Sequence, residues 1–149
     1  MTAEELLNKY ITKNKEDANQ TYLAWSFGNS EEMANSLAQL VVSEEKTATA
    51  SLFYLYEVEN EELPKVGGYN IILDGSENAK CIIKTSKVYV TPFNEVTKEH
   101  AFKEGEGDKS LDYWRNGHKK FFKLDLEGLD KNFDENIMVV CEEFNVVYK

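Results

Sequence analysis

The hydrophobic pattern of the chain changes its period at Lys46. Before this residue, apolar side chains recur three or four positions apart, which is typical of amphipathic helices. From Thr47 to Ser51, hydroxyl side chains alternate with alanine, which is typical of a β-strand. Because one chain carries both periods, the sequence predicts an α+β fold.

Two helices are predicted in the first third of the chain. Thr2 followed by Glu5 is a capping-box pattern, and Asn29 followed by Glu32 repeats it. The second helix is expected to end near residues 44–46. The apolar positions of the two helices are Leu6, Leu7, Tyr10 and Ile11, then Met33, Leu37, Leu40 and Val41.

Strands and shorter helices alternate in the rest of the chain. The Asp74-Gly75 turn signal lies between two β-rich runs, so a hairpin is predicted there. Residues 52–62 fit either a helix or a strand, and a short helix is favoured. The other predicted elements are strands over 69–73 and 81–90, helices over 97–104 and 110–123, and a final strand over 137–148. Helices gathered before and between several strands predict a small, highly curved antiparallel or mixed sheet, which could close into a barrel.

Length and charge limit the possible functions. The 149 residues, 42% of them hydrophobic, are enough for one buried core and exclude a second independent domain. Seventeen bases against 27 acids leave a formal charge of -10, so the surface as a whole should repel a polyanion. These values argue against a protein that tracks long nucleic acid through its overall charge, whereas a local basic site stays possible.

The apolar runs are short, and residues 1–20 carry Glu4 and Glu5 where a signal peptide needs an apolar stretch. We therefore expect a soluble, cytoplasmic protein with no membrane partner. Cys81 and Cys141 lie far apart with no C-x-x-C spacing, which predicts two buried thiols rather than a metal or redox site.

The only arginine and both histidines lie close together in the sequence, as Arg115, His100 and His118. Residues 109–123 carry five bases against one acid, a net +4, which makes this segment a candidate anion-binding site. Arg115 and His118 stand at i and i+3, so they are neighbours on the predicted helix. Two alternatives stay open: the lysines form a solvated helix face, and His118 is a hydrogen-bonded core residue.

Lys46 is the only base in residues 16–64, which contain ten acids. It stands where the predicted helix meets the strand, and its side chain can reach Thr49 from a bend. A lysine beside a hydroxyl can act as the base for a nucleophile, provided that burial holds the amine neutral. The alternative is a lysine at a helix C-terminus that interacts with the helix dipole. Thr47 and Ser51 share the strand face of Thr49, so the choice of hydroxyl stays open.

Three acids alternate with glycine, at Glu104, Glu106 and Asp108. An EF-hand calcium loop would need an acid at the twelfth position, which is Arg115, so no metal site is predicted. Asp108 is placed to cap the helix that begins at Ser110. Glu104 ends its own helix, where the dipole would raise its pKa towards that of a general acid or base.

Seven motifs follow one another along residues 22–148. They are Trp25-x-Phe27-Gly28, Lys46-Thr47-Ala48-Thr49-x-Ser51-Leu52, Leu73-Asp74-Gly75, Pro92-Phe93-x-x-Val96, Glu104-Gly105-Glu106-Gly107-Asp108-x-Ser110-Leu111, Trp114-Arg115-x-x-His118 and Val139-Val140-Cys141-Glu142-x-Phe144. Together they resemble the ASCH domain family. The resemblance makes the chain a single ASCH domain, 1–149, with residues 1–20 as an N-terminal helical extension.

The resemblance implies a β-barrel of the PUA-like kind surrounded by helices, and an association with RNA or modified nucleosides. Related branches of the family are amidohydrolases that deacylate N4-acetylcytidine. Other members have been described as ribonucleases or proposed as RNA-binding modules. No cofactor is expected.

Similarity to the amidohydrolase branch implies roles for three residues. Lys46 matches the family lysine, Thr49 the threonine nucleophile and Glu104 the family glutamate. The implied reaction is attack of Thr49 on an amide or acyl carbonyl of a cytidine-like nucleoside, with Lys46 as base and Glu104 as proton shuttle to the leaving amine. The chain departs from that branch in its added N-terminal helix and in Ala50-Ser51, where the short enzymes carry an arginine.

Eight further residues are candidates for ligand binding. They are Trp25, Phe27, Ser51, Glu106, Asp108, Trp114, Arg115 and His118. The aromatic rings could stack on a base, and the arginine and histidine could hold a ribose or a phosphate, unless these residues belong to the core. The competing functions are a non-catalytic RNA-binding module and a ribonuclease that acts on single-stranded RNA.

Overall fold

A computed structural model describes residues 1–149. Its helices are α1 Ala3–Lys13, α2 Glu31–Val42, α3 Phe53–Val58, α4 Lys98–Glu104 and α5 Leu111–Asp125, and its strands are β1 Tyr22–Ser26, β2 Ala48–Leu52, β3 Tyr69–Leu73, β4 Ala79–Pro92 and β5 Met138–Tyr148. The α+β class predicted from the sequence is confirmed. None of the helices is long and apolar enough to span a membrane.

All five strands belong to one curled sheet, a half-barrel with the order β1-β3-β4-β5-β2. β1 pairs with β3 in parallel, and the other neighbouring strands are antiparallel. The pairing of β4 with β5 shifts register between Ile82 and Ile83 and again between Thr85 and Lys87. Such bulges increase the local twist of a sheet. The prediction of a curved mixed sheet surrounded by helices is confirmed.

The two faces of the sheet have different surroundings at the β2 edge. Leu52 lies opposite Val139, and both pack into an apolar cluster with side chains of α4 and α5. The alternate residues of β2 lie on the other face, where Thr49 is opposite Glu142. Strand β2 therefore separates a helix-covered core from a face that carries polar side chains.

The first two helices begin with side-chain caps. The capping box of Thr2 and Glu5 is present. The cap of α2 is Ser30, whose hydroxyl accepts from the Met33 amide, so the prediction of Asn29 was wrong by one residue. The buried residues of α2 are Ala34, Ala38 and Val41. Met33, predicted on the apolar face, is 36% exposed because the small alanines face the sheet instead.

Gly105 ends α4 and packs against the residues that precede β2. Its φ is +72°, and a Cβ at this position would lie 2.2 Å from the Glu45 carbonyl oxygen. Glycine alone suits both the left-handed conformation and the close approach. Beside it, the Thr47 amide donates to the Lys103 carbonyl at 2.7 Å. These contacts place the last residue of α4 next to the lysine that precedes β2.

We expect Gly105→Ala to destabilise the protein by about 1–3 kcal/mol, because alanine is strained at this φ and its Cβ would overlap the Glu45 carbonyl. Gly117→Ala is the matched control, since Gly117 lies within α5 with no atom near the added methyl. The control should stabilise the protein by about 0.4–1 kcal/mol. Urea denaturation measures both free energies of unfolding, and equal stability of the two variants would contradict the close packing of Gly105.

Candidate functional site

The carboxylate of Glu104, only 1% exposed, is surrounded by four nitrogen atoms. Lys46 Nζ and His118 Nε2 each lie 3.3 Å from Oε1. His100 Nε2 lies 2.7 Å and Trp114 Nε1 2.6 Å from Oε2. Each carboxylate oxygen therefore has two nitrogen neighbours, and protein groups replace the water that the charge loses on burial.

Three segments of the chain supply these nitrogen atoms. His100 and Glu104 stand at i and i+4 on α4, and Trp114 and His118 stand at i and i+4 on α5, so each pair shares a helix face. Lys46 comes from the link between α2 and β2. The cluster therefore forms only when both helices pack against the start of β2.

Lys46 is 1% exposed and contacts two carboxylates. Its Nζ donates to Glu104 at 3.3 Å and to Glu106 at 2.9 Å, and it lies 5.3 Å from the centre of the Phe27 ring. Negative charges at this range attract an ammonium group strongly in a poorly hydrated site. Lys46 Nζ thus donates to two carboxylates, and none of its contacts is with a hydroxyl.

The pKa of Glu104 has moved in the direction opposite to the prediction. Burial alone would raise the pKa, but the charge of Lys46 and the contacts from His100 and His118 outweigh burial and hold it well below 4.5. The predicted rise was wrong because a full charge at 3.3 Å outweighs the partial charge at the end of a short helix. The carboxyl is ionised at neutral pH and is a poor proton donor.

Ligand atoms of Glu104, Glu106 and His118 lie within 4.8 Å of one another, a spacing that a metal ion could use. Lys46 Nζ already contacts both carboxylates. A divalent cation would have to displace this ammonium group. The cluster is therefore best described as a buried ion-pair network.

Thr49 lies on β2 and is partly buried. No hydrogen bond joins its hydroxyl to the cluster around Glu104. The side chain lies on the sheet face of Glu142, its cross-strand neighbour. Ser51 shares this face, and its hydroxyl lies 2.9 Å from the Tyr56 hydroxyl. The structure thus unites the predicted lysine and glutamate but leaves the predicted nucleophile in a separate polar group.

Two of the three candidate stacking rings are enclosed. Trp114 is 3% exposed, with His118 stacked on it at 4.2 Å between ring centres and Phe93 tilted against it at 5.2 Å. Phe27 is 6% exposed and lies under the Lys46 ammonium. The expectation that these rings stack on a base is corrected, because neither has an open face.

Arg115 and His118 do not form a joint anion site. The Arg115 guanidinium donates to the Asn94 carbonyl at 3.2 Å, whereas His118 faces Glu104. A spacing of i and i+3 makes two residues neighbours on a helix, but their long side chains can still reach different partners. The predicted pairing of these two residues on a ribose or phosphate is corrected.

Asp108 and Trp25 have local partners. Ser110, not Asp108, is the cap of α5, and Asp108 Oδ1 accepts from the Ser110 amide at 2.9 Å in the preceding turn. The Trp25 indole donates to Asn70 Oδ1 at 2.8 Å, and its ring meets Phe27 edge-on. Trp25 keeps a partly exposed ring, so it is the one aromatic candidate with accessible surface.

The chain matches a known protein family over most of its length. The sequence model of the ASCH domain matches residues 23–148. The chain belongs to the ASCH domain family. Proteins of this family are associated with RNA in general. No curated protein matches the chain.

Solved structures agree with the ASCH assignment. The ASCH domain from Lactobacillus crispatus JV V101 is 33% identical with a TM-score of 0.91, over 98% of this chain and 94% of that one. Protein EF3133 from Enterococcus faecalis V583 is 41% identical with a TM-score of 0.89, over 97% of this chain and 87% of that one. The hypothetical protein PH0355 shares the fold at 18% identity and a TM-score of 0.56, over 85% of this chain and 100% of that one.

One polar pair of this ASCH domain was not predicted from the sequence. Thr85 Oγ1 donates to Glu142 Oε2 at 2.6 Å, and both residues are buried. Burial raises the pKa of Glu142, and the Thr85 hydrogen bond offsets part of that rise. The signal was a charged residue two positions after Val140, on the same face of an otherwise apolar strand.

We expect His118 to contribute stability at acidic and neutral pH and to lose that contribution in alkaline solution. Burial alone would lower the pKa of His118, but the hydrogen bond and charge of Glu104 raise it above 6.5. A raised histidine pKa adds stability that is full below pH 6.5 and disappears as the pH rises through the folded-state value. His118→Gln should therefore destabilise the ASCH domain more at about pH 6 than at about pH 9.

The free energy of unfolding, measured by urea denaturation across this pH range, checks the expectation. Lys119→Gln is the control, because Lys119 lies on the exposed side of α5. A deficit of His118→Gln that stays constant with pH would contradict the charged contact with Glu104.

Proposed function

We propose that this ASCH domain hydrolyses an acyl amide on a cytidine-like nucleoside, with Thr49 as the nucleophile. The observation that carries the proposal is the buried charge network at the start of the strand that holds Thr49. Lys46 and Glu104 are each 1% exposed. Burying such charges costs several kcal/mol per ion, so a role in stability alone is a poor explanation for them.

In this proposal Lys46 supplies fixed positive charge. Glu104 and Glu106 hold the ammonium beside the start of β2, and because Thr49 lies on the other face of that strand, the charge acts on the substrate through the local field and not by direct contact. The roles of base for Lys46 and proton shuttle for Glu104 are withdrawn, because the first donates to two anions and the second stays ionised.

Glu106 controls access to the ammonium in the same proposal. Its side chain is 27% exposed, whereas Lys46 and Glu104 are enclosed. It borders a cleft of about 390 Å³ that lies beside α2 and includes Tyr113 of α5. Movement of the Glu106 carboxylate towards this cleft would remove one of the two anions that compensate Lys46 and would open the ammonium on the side of β2 opposite Thr49.

The first test is hydrolysis of N4-acetylcytidine, followed by chromatography of the released cytidine. Wild type should turn over, and Thr49→Val should reduce kcat by on the order of 10³-fold, because the attacking oxygen is removed. Thr47→Val is the matched control, since the Thr47 hydroxyl makes only a long hydrogen bond to the Lys103 carbonyl, at 3.4 Å. Absence of turnover on a panel of N4-acylated cytidines would contradict the hydrolase proposal.

A second candidate function is RNA binding without catalysis, and a particular surface favours it. A groove of about 690 Å³ lies between α4 and the start of α5, with the 62% exposed ring of Phe102 on its wall. Three lysines, Lys98, Lys103 and Lys109, line the groove together with the acids Glu99 and Asp112, and Lys103 pairs with Glu143 at 3.0 Å. Aromatic rings and lysines are the groups that hold the bases and phosphates of a single strand.

The groove would be tested with a single-stranded oligoribonucleotide in a fluorescence anisotropy titration over a range of salt. Replacing Lys98 and Lys109 together by Gln should weaken binding and reduce the slope of log affinity against log salt by about 1.4, at about 0.7 for each lost phosphate contact. The control replaces Lys9 and Lys15, which are exposed near α1 and change the net charge equally. Equal loss in both double variants would exclude the groove, and cleavage of the oligonucleotide would indicate a ribonuclease instead.

A further inference from the structure

We propose that Glu142 is the general base that accepts the proton of the Thr49 hydroxyl; this inference rests on the hydrolase function proposed above. Glu142 Oε2 accepts from Thr85, whereas no protein group donates to Oε1, which stays in contact with solvent. The residue is only 7% exposed. A buried carboxyl with one unpartnered oxygen, placed opposite Thr49, is available to bind a proton.

The charge network cannot supply this base. Lys46 donates to two carboxylates, and Glu104 is held ionised by Lys46 and two histidines. Each oxygen of Glu104 already faces two nitrogen atoms, and none of its contacts is with Thr49. A hydroxyl nucleophile in a protein needs an adjacent base, so the base must come from the sheet face that carries Thr49.

Strand register brings Glu142 into position. β5 lies between β2 and β4, and Thr49 is the direct cross-strand neighbour of Glu142. The Cβ atoms of such a pair lie about 4.5–5.5 Å apart, within reach of a glutamate side chain directly or through one water. Thr85 approaches from β4 and fixes the carboxyl at 2.6 Å. Glu142 thus stands between two threonines on three adjacent strands.

The surroundings favour proton uptake by Glu142. The groups that face it are Thr49 from β2, Thr85 and Val88 from β4, and Tyr56 from α3. No lysine or arginine forms an ion pair with it, whereas its neighbour Glu143 pairs with Lys103 and Lys87. Burial raises the pKa of Glu142, which makes its carboxylate a stronger base than an ordinary one.

A ligand can reach this face of the sheet. Beyond Glu142 the same face continues through Val90, opposite Val140, and Met138, opposite Pro92. Val90 is 37% and Met138 39% exposed, so the end of this face is open, whereas Val140, between Met138 and Glu142, is 1% exposed. A ligand therefore has open surface at the end of the face and a narrow approach to Glu142. Apolar surface with a few polar groups is typical of small-molecule sites.

The chemical step is balanced as follows. As Thr49 Oγ bonds to the carbonyl carbon, its proton passes to Glu142 and the carbonyl π electrons form an oxyanion. Collapse of the oxyanion breaks the C–N bond, and Glu142 returns the proton to the leaving amine. Water then attacks the acyl-threonine, gives one proton to Glu142, and releases a carboxylic acid as Glu142 reprotonates the Thr49 oxygen.

The test compares Glu142→Gln with Glu143→Gln in two assays. Glu142→Gln keeps the shape of the side chain and an oxygen for Thr85, while Glu143 lies outside the proposed site. In the first assay, N4-acetylcytidine turnover by Glu142→Gln should fall about 10²–10⁴-fold in kcat with KM little changed, and Glu143→Gln should match wild type. In the second, 4-nitrophenyl acetate is the probe, and peptide mass spectrometry measures the rate at which Thr49 becomes acetylated.

Thr85→Val is a second variant, which leaves residue 142 a glutamate. The Thr85 hydrogen bond lowers the pKa of Glu142, so its loss should move the acidic limb of the kcat profile to higher pH. Near-ultraviolet circular dichroism checks that each variant is folded. If Glu142→Gln does not fold, the pH profile of Thr85→Val tests the role of Glu142 by itself.

The outcomes separate the two proposals. If wild type hydrolyses acylated cytidine but Glu142→Gln and the Thr85→Val pH profile both match wild type, the role of Glu142 is overturned and the hydrolase function stands. If wild type hydrolyses no acylated cytidine, the hydrolase function is overturned. The rate of Thr49 acetylation then tests separately whether Glu142 acts as the base for Thr49. Labelling of Thr49 no faster than Thr47 in wild type, or equally fast in Glu142→Gln, overturns the inference.

Discussion

The carboxylate of Glu104 is the buried charge on which the packing of three segments depends. It is 1% exposed and needs all four surrounding nitrogen atoms, because an uncompensated charge in the interior costs several kcal/mol. Those atoms come from α4, α5 and the residue before β2. Gly105 lets the chain turn at this point without moving α4 away from β2. One ionic centre therefore fixes both helices against the edge of the sheet.

This constraint divides the proposed chemistry between two sides of β2. On one side Lys46 is held by two anionic partners and contacts no hydroxyl. On the other, Glu142 has no cationic partner and keeps one oxygen free. Lys46, which is held by two anions, cannot both supply fixed charge and accept the proton of the nucleophile. Separating the fixed charge from the mobile proton lets each group keep the protonation state that its role requires.

Local features of the fold were predictable from the sequence, and the properties of the site were not. The Thr2 cap and the αL turn at Gly105 follow from residues a few positions apart, so the sequence contains all the information they need. The pKa of Glu104 depends on Lys46, 58 residues away, and on the pairing of α4 with α5. Helical spacing placed Trp114 beside the site, but spacing cannot distinguish a ring enclosed by neighbours from one open to a ligand.

The arrangement of charges also bears on the kind of ligand that the Thr49 face favours. A phosphate placed near Glu142 would meet a carboxyl with no cation beside it, and the repulsion would be strong at low hydration. While Glu106 stays in contact with Lys46, two carboxylates share the ammonium, so the network offers no positive site for a phosphate. The lysines that could hold phosphate lie instead in the groove beside Phe102. A neutral base at Thr49, with any phosphates directed away from Glu142, is the arrangement that these charges favour.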